Sequence, residues 1–242
     1  MGMKASNKIA TFFKYFVLIL VGIIMIYPLL WMISATFKDN SEIFAGISLW
    51  IKHPTLDGYR GALNNFGGSI NILQAMLNTY SYVIPKVICT VVSACVAAYG
   101  FGRFDFPGRK LMFNIMLATL FLPQVVLNVP QYLLYNKFGW LDSPFYLAIW
   151  VHCAFATETY FVYQLIQFMW SCNDFMGPLL YVQTPAKYPM SLFVKLSMDG
   201  DTGFAWNRIL ALSLISILPQ LIVFFCAQDQ FVEGISAGAV KG

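Results

Sequence analysis

The sequence predicts an all-α, polytopic transmembrane helical bundle. Hydrophobic residues make up 59% of the 242 residues and charged residues only 11%, against about 25% charged residues in a typical soluble domain. The mean hydropathy is +0.66, and several apolar runs are long enough to cross a bilayer as helices of about 20 residues. We therefore interpret the whole chain, 1–242, as a single membrane-spanning domain.

The first span is predicted over residues 15–37. The flank before it carries Lys4, Lys8 and Lys14 and no acidic residue, which is typical of a cytoplasmic N-terminus. The apolar run is longer than the hydrophobic region of a signal peptide, and more spans follow it, so we expect a true transmembrane helix. Residues 38–75 are mixed in composition and are expected to be extracytoplasmic.

Spans two and three, 76–101 and 111–135, are predicted to meet at a short turn over residues 102–110. Short loops with an excess of Lys and Arg stay on the cytoplasmic side of the membrane. The turn is therefore predicted to be cytoplasmic. Its charged residues are Arg103, Asp105, Arg109 and Lys110.

The region from residue 144 to residue 182 does not fit the pattern of the earlier spans. As one helix it would be about 60 Å long, twice the thickness of the hydrocarbon core and barely enough for two crossings. We assign a fourth span to 145–168 and the remnant of a further span to 169–182. The last span is predicted over 206–228, after an extracytoplasmic segment at 183–205.

The order of several motifs resembles one family, the permease subunits of carbohydrate-uptake ABC importers of the maltose-transporter type. The N-terminal half contributes Asn78-Thr79, the run from Ala97 to Arg109, Pro123-Gln124-Val125 and Pro130. The C-terminal half contributes the stretch from Trp170 to Leu179, which is similar to the family's W-x-W-N-D-F-x-G-P-L, and the closing segment from Phe231. The positions that match family motifs and are expected to be structural are Asn78, Tyr99, Arg103, Pro107, Gly108, Asn173, Asp174, Gly177 and Pro178.

The resemblance implies six spans, of which about five are recognisable, and a multi-pass location in a bacterial inner or plasma membrane. It implies a chain that is not itself an enzyme and binds no cofactor, with ATP bound and hydrolysed by a partner subunit. The implied partners are a second permease subunit, ATPase subunits, an extracytoplasmic sugar-binding protein and membrane lipid. The implied function is passage of a sugar or oligosaccharide from the binding protein into the cytoplasm.

The chain departs from the family at the ATPase-docking loop. The family carries a Glu-Ala-Ala motif in a cytoplasmic loop after the fourth span, and no such motif occurs here. The sequence passes near Gln167 or Phe168 from the end of the fourth span to the end of the fifth. No ATPase-coupling residue is therefore assigned, and we expect transport by this chain to be uncoupled from ATP hydrolysis.

Three uncharged polar residues are candidates for lining a substrate path. Gln124, Asn128 and Gln131 are spaced by four and three residues, so they share one face of a helix that Pro123 and Pro130 would kink. A path for sugar hydroxyls needs donors and acceptors without charge. The alternative is that these amides bond a neighbouring helix or the carbonyls freed by proline.

Two ionisable residues lie well inside predicted spans, Lys86 and Glu158. A charge at such a depth costs at least about 2.5 kcal/mol on insertion scales. One hypothesis is a salt bridge between spans two and four. The other is that Lys86 extends to the membrane surface while Glu158 faces a wet cavity.

The sequence gives little support for a nucleotide, metal or nucleic-acid binding site. The glycine-rich run from Gly100 to Lys110 lacks the spacing of a nucleotide-binding loop, and His152 has no second metal ligand within helical reach. The net charge of +4 comes from membrane flanks, so no nucleic-acid partner is predicted. No metal site is predicted either, because the Cys and His residues lack the spacing of metal ligands. The cysteines show no C-x-x-C spacing and are interpreted as buried small residues. They are Cys89, Cys95, Cys153, Cys172 and Cys226.

Two other classes of function remain open on the sequence. An ion-coupled secondary transporter would use Lys86, Glu158 or Asp174 to bind the coupling ion and would need no ATPase partner. A non-transporting or defective membrane remnant would explain the absent docking loop.

Overall fold

The structure is a computed structural model that describes residues 2–63, 70–121, 124–142, 161–198 and 205–239. The predicted all-α class is confirmed. The helices of the described residues are α1 (Gly2–Ala35), α2 (Asn40–Ile43), α3 (Asp57–Leu63), α4 (Ile72–Arg103), α5 (Arg109–Leu120), α6 (Gln124–Lys137), α7 (Phe161–Cys172), α8 (Met176–Tyr181), a 3₁₀ turn (Pro185–Lys187), α9 (Met190–Met198) and α10 (Trp206–Ala239).

Within the described part of the chain, three helices are long and apolar enough to cross a membrane. They cover Thr11–Ala35, Ile72–Arg103 and Trp206–Asp229. The predicted span 111–135 corresponds to two shorter helices, α5 and α6. Most of the predicted span 145–168, including Glu158, His152 and Cys153, lies outside the described residues.

The chain divides into two compact units. The first draws on Met1–Asn64 and Gly200–Ile215, and the second on Asn65–Asp199 and Ser216–Gly242. Helix α10 therefore contributes its N-terminal part to the first unit and the remainder to the second.

The first unit is built on the C-terminal end of α1. A helix that is apolar on all faces belongs in lipid, and the side chains of α1 from Thr11 onward are largely exposed until Ser34. The segment after α2 folds back on that end: Ser34 Oγ donates to the carbonyl oxygen of Leu49 at 2.7 Å, and the Thr55 amide donates to the Phe37 carbonyl oxygen at 2.8 Å. These bonds give the carbonyl oxygens of Leu49 and Phe37 hydrogen-bond donors, which the apolar side chains of α1 cannot supply.

Helix α3 packs tightly against backbone in the same unit. A Cβ added to Gly58 would lie 2.7 Å from the carbonyl oxygen of Asn207 and 3.0 Å from that of Thr36. The Asn207 amide in turn donates to Asn40 Oδ1 at 3.1 Å. Close approach of these three backbone segments is the reason that residue 58 is glycine.

In the second unit, the first turn of α4 and the end of α6 are fixed by local sequence. Asn71 caps α4, its Oδ1 accepting from the Gln74 amide at 2.8 Å, as N-cap asparagines do. Helix α6 ends in a Schellman motif around Gly139, which has a φ of +66°. The Gly139 amide donates to Asn136 and the Trp140 amide to Tyr135, the two bonds that define this cap.

The described part of the second unit contains two small cores. One joins α4 to α7 and consists of Tyr82, Val83 and Cys172, with Phe168 packed against it. The other consists of Tyr135 on α6, Tyr181 on α8 and Val182, with further, mostly aromatic side chains packed against them. Both cores position polar side chains, which are described next.

Candidate functional site

Polar side chains on α4 hold the segment that leads into α9. Asn78 Nδ2 donates to the carbonyl oxygens of Ala186 at 2.9 Å and Tyr188 at 3.1 Å. Thr79 Oγ1 accepts from the Met190 amide at 2.8 Å, which gives the first turn of α9 a partner. Both residues occur in the motif Asn78-Thr79, and their contacts lie within the protein.

The end of α7 carries a second group of polar contacts. Asn173 Nδ2 donates to Gln220 Oε1 on α10 at 2.8 Å, and Gln220 is buried. Asp174 Oδ1 accepts from the Gly177 amide at 3.1 Å, and its carbonyl oxygen accepts from Ser191 Oγ at 2.8 Å. We call Asn78, Thr79, Asn173, Asp174 and Gln220 the polar seam.

The space inside the polar seam is too small for a sugar. A void of about 10 Å³ lies between α4, α7 and α10, lined by residues that include Thr79, Tyr80, Cys172, Ser216 and Gln220. A cavity of that size holds at most one water molecule. The seam therefore joins helices by hydrogen bonds and is not itself a substrate cavity.

Helix α6 carries the predicted substrate path, and its described side-chain amides are partly buried against the protein. Asn128 and Gln131 are half-buried, whereas Val126 and Val129 are 63% and 66% exposed. This distribution, with apolar side chains outside and polar ones inside, is typical of helices in lipid. Gln124 belongs to the first turn of α6, and its side chain lies outside the described part of the structure.

Gln131 lies beside an aromatic cluster, which comprises Tyr132, Tyr135, Trp140, Tyr181 and Tyr188. The Tyr181 hydroxyl donates to Gln131 Oε1 at 3.5 Å, at the long end of hydrogen bonding. The ring centroids of Tyr135 and Tyr181 are 5.4 Å apart, within the range of favourable ring pairs. Aromatic faces with a few uncharged donors and acceptors are the usual lining of small-molecule sites.

Asp142 closes the aromatic cluster from the loop after α6. It has a φ of +61°, and its Oδ1 accepts from the amides of Gln183 at 3.0 Å and Thr184 at 3.1 Å. Thr184 Oγ1 donates to Oδ2, and Lys187 Nζ lies 3.6 Å from the same oxygen. Partial burial acts to raise the pKa of Asp142, but the bonds from Thr184 and Gln183 and the charge of Lys187 outweigh it and lower that pKa below its ordinary value.

Lys86 is buried, with 5% of its surface exposed. It follows the core residues Tyr82 and Val83 on α4 and is close enough to Cys172 for electrostatic interaction. This position inside the unit does not match a side chain that extends to the membrane surface. Because Glu158 lies outside the described residues, the salt bridge stays a prediction.

The family-motif residues of the turn lie at its surface. Tyr99 is exposed and makes an edge-on contact with Phe104, with centroids 5.6 Å apart. Arg103 ends α4 and is exposed, and Pro107 precedes Gly108, whose φ of +86° favours glycine. By contrast, Gly177 and Pro178 of the second motif are buried in α8.

Comparison with known proteins shows what the chain is similar to. No protein-family model matches the chain. The galactooligosaccharides transport system permease protein GanQ of Bacillus subtilis is 24% identical, with 99% of each chain aligned. The diacetylchitobiose uptake system permease protein NgcG of Streptomyces coelicolor is 28% identical over 98% of this chain and 91% of its own.

A bacterial ABC transporter involved in the import of the polysaccharide alginate has a similar solved structure. Its TM-score is 0.67 at 15% identity, and the match covers 93% of this chain and 98% of that one. Curated relatives that match over almost their whole length are permeases of uptake systems, and the fold is that of an ABC importer chain. The chain is similar to ABC importer permeases over almost its whole length.

In the permease, the contacts that sequence reasoning missed are those between distant residues. Gln220 and Asp142 were not singled out as site residues, although each bonds a segment more than forty positions away. Gln220 is a polar residue in the middle of the last apolar run, next to Pro219. That rarity is the signal that identifies it, because polar residues inside spans are kept for packing or function.

Proposed function

We propose that the permease passes a sugar or oligosaccharide, delivered by an extracytoplasmic binding protein, across a bacterial cell membrane. The observation that carries the proposal is the alignment with GanQ, which spans 99% of both chains. A relative named for diacetylchitobiose and one named for trehalose and maltose also align over more than nine-tenths of this chain. A shared carbohydrate class among full-length relatives supports the same class of substrate here.

The amide and aromatic side chains near α6 are the proposed contacts for the sugar. Asn128 and Gln131 provide uncharged donors and acceptors, and Gln124 precedes them on the same face of the helix by sequence spacing. The ring of Tyr132, half-buried beside Gln131, provides an apolar face. Uncharged groups suit a path because they bind hydroxyls without holding them as tightly as a charged site would.

Partner subunits provide the ATP binding and the sugar delivery that this chain does not carry. We propose a second permease subunit, ATPase subunits and a sugar-binding protein, with ATP bound on the ATPase subunits and none on this chain. The N-terminus and the turn between α4 and α5 face the cytoplasm in this assembly.

Chemical crosslinking in native membranes, followed by isolation of the tagged permease, tests these partners. We expect an ATPase subunit, a second permease and a binding protein to be recovered together. Calorimetry of that binding protein with a panel of sugars, amino acids and metal ions should then show binding of a neutral sugar. Recovery without a second permease, or a binding protein that takes no sugar, would contradict the proposal.

We further propose that this chain lacks the loop through which an ATPase subunit is coupled. The GanQ alignment extends over 283 residues, whereas this chain has 242, so the relative carries a stretch without counterpart. Helix α7 runs unbroken through Gln167 and Phe168, the predicted point of the omission, and Asn173 follows directly after it. This continuity supports an omission within the chain.

The intact mass of the protein from its native membrane tests the omission. A mass of 27.3 kDa is the expected result. A larger mass, with the additional peptide mapped between residues 161 and 172, would contradict the omission and leave the assignment as a sugar permease intact.

A further inference from the structure

The turn between α4 and α5 forms an open groove of about 830 Å³. Its apolar lining comes from Phe101, Phe106, Leu111 and Phe113. The Phe101 ring lies 5.9 Å from that of Phe106 and 5.7 Å from that of Phe113, centroid to centroid. The groove is therefore lined by aromatic rings, and its volume is in the range of small-molecule sites.

The charged lining of the groove is positive overall. Arg109 and Lys110 line one part of it, with Asp105 beside them. Arg109 Nη1 is 2.5 Å from Asp105 Oδ1, and the Asp105 side chain is almost fully exposed, so water screens this ion pair strongly. A second anion can therefore approach the two basic residues.

The groove lies at the charged end of a candidate membrane span. Helix α4 is one of the three helices long and apolar enough to span a membrane, and it ends at Arg103. Leu111, at the start of α5, is 65% exposed. An exposed apolar lining beside basic residues at the end of a span matches the two parts of a phospholipid.

We propose that this groove binds one anionic phospholipid. The phosphate group lies at Arg109 and Lys110, and the first part of one acyl chain lies along Phe101, Phe106 and Phe113. Charge complementarity selects the lipid, because each basic residue near a membrane surface attracts anionic headgroups. The partly exposed aromatic lining favours the whole lipid over a free phosphate ion, since a free ion gains nothing from apolar walls.

Native mass spectrometry of the full chain in detergent tests the site, with phosphatidylglycerol and phosphatidylcholine of equal chain length as probes. We expect phosphatidylglycerol to bind more tightly. Lys110→Gln should weaken its binding about fivefold, and Arg109→Gln with Lys110→Gln about thirtyfold. Asp105→Asn should strengthen it, because it removes the competing carboxylate.

The matched control is Lys137→Gln, which removes another exposed positive charge, at the end of α6. This variant should leave the binding of phosphatidylglycerol unchanged, and circular dichroism should show unchanged helix content in every variant. sn-Glycerol 1-phosphate, the headgroup phosphate without acyl chains, is the second control and should compete poorly.

Three results would overturn the proposal. Equal binding of the two lipids would mean that charge does not select the ligand. An equal loss in Lys137→Gln and Lys110→Gln would mean a diffuse attraction without a site. Competition by glycerol phosphate at the concentration of the lipid would mean a phosphate site in which the aromatic groove has no part.

Discussion

The side-chain amide of Asn173 donates a hydrogen bond to Gln220 Oε1 at 2.8 Å, which ties the residue after α7 to the middle of α10. Gln220 is 4% exposed, so loss of the Asn173 amide leaves its buried Oε1 without that donor, while Nε2 keeps its bond to the Ser216 carbonyl oxygen. Interhelical hydrogen bonds in membrane proteins contribute about 0.6 kcal/mol on average and up to about 1.7 kcal/mol. We expect Asn173→Leu to lower the free energy of unfolding by about 1 kcal/mol.

The double variant distinguishes this bond from a general effect of substitution. Gln220→Leu alone should cost a similar free energy, and the two changes together should cost less than their sum, because the second change cannot remove the shared bond again. Denaturation of the purified permease in mixed micelles measures all three. Gln228→Leu, at an exposed position of the same helix, is the control, and strict additivity would refute the coupling.

Asn78 and Thr79 should control the order of the segment before α9. Asn78→Ala removes the side-chain donor to the Tyr188 carbonyl oxygen and leaves the Ala186 carbonyl oxygen with only the Gln74 amide. Thr79→Val removes the acceptor of the Met190 amide. Hydrogen exchange of the amides from residue 184 to residue 190 should become faster in both variants. Ser81→Ala, which loses only a bond within α4, should leave that exchange unchanged.

The bonds of Asp142 should be sensitive to acid. The folded pKa of Asp142 lies below its ordinary value of 3.8, because the ionised carboxylate accepts bonds that the protonated one loses. The stabilisation is therefore fully present above that ordinary value and disappears as the pH falls through the lower folded pKa. Protection of the Gln183 and Thr184 amides from hydrogen exchange should persist at neutral pH and fall in this acidic range.

Asp142→Asn should remove the pH dependence. Asparagine tolerates a positive φ and keeps one oxygen acceptor, but it carries no charge for Lys187. Protection in this variant should be lower than in the native protein at neutral pH and nearly constant down to pH values near the ordinary aspartate pKa. An unaltered acid transition would show that another group titrates.

Gly58 should not tolerate a side chain. Its Cβ would meet the carbonyl oxygens of Asn207 and Thr36 at 2.7 and 3.0 Å, and relief of such contacts requires backbone shifts that cost about 1–3 kcal/mol. Gly58→Ala should lower the melting temperature of the permease. Gly46→Ala is the matched control, because nothing lies within 4 Å of the added atom; equal losses in the two variants would contradict the packing argument.

The sequence predicted the parts of the fold that local chemistry determines. Apolar length identified the helices that contain Thr11–Ala35, Ile72–Arg103 and Trp206–Asp229, and the charges of residues 102–110 located the turn between α4 and α5. The polar seam could not be derived in the same way, since helical periodicity relates residues within a few turns and Asn173 and Gln220 are far apart in the chain. Pro123 and Pro130 predicted a kink within the span 111–135, but hydropathy alone could not give the separate bounds of α5 and α6.

The most direct test of the uncoupled permease is the ATPase activity of the reconstituted complex in liposomes, measured with and without sugar-loaded binding protein. Two forms of the permease should be compared: the 242-residue chain, and the same chain with the stretch of GanQ that has no counterpart here inserted between Gln167 and Phe168. We predict that loaded binding protein stimulates ATP hydrolysis and sugar uptake with the second form and neither with the first. Stimulation with the 242-residue chain itself would contradict the account.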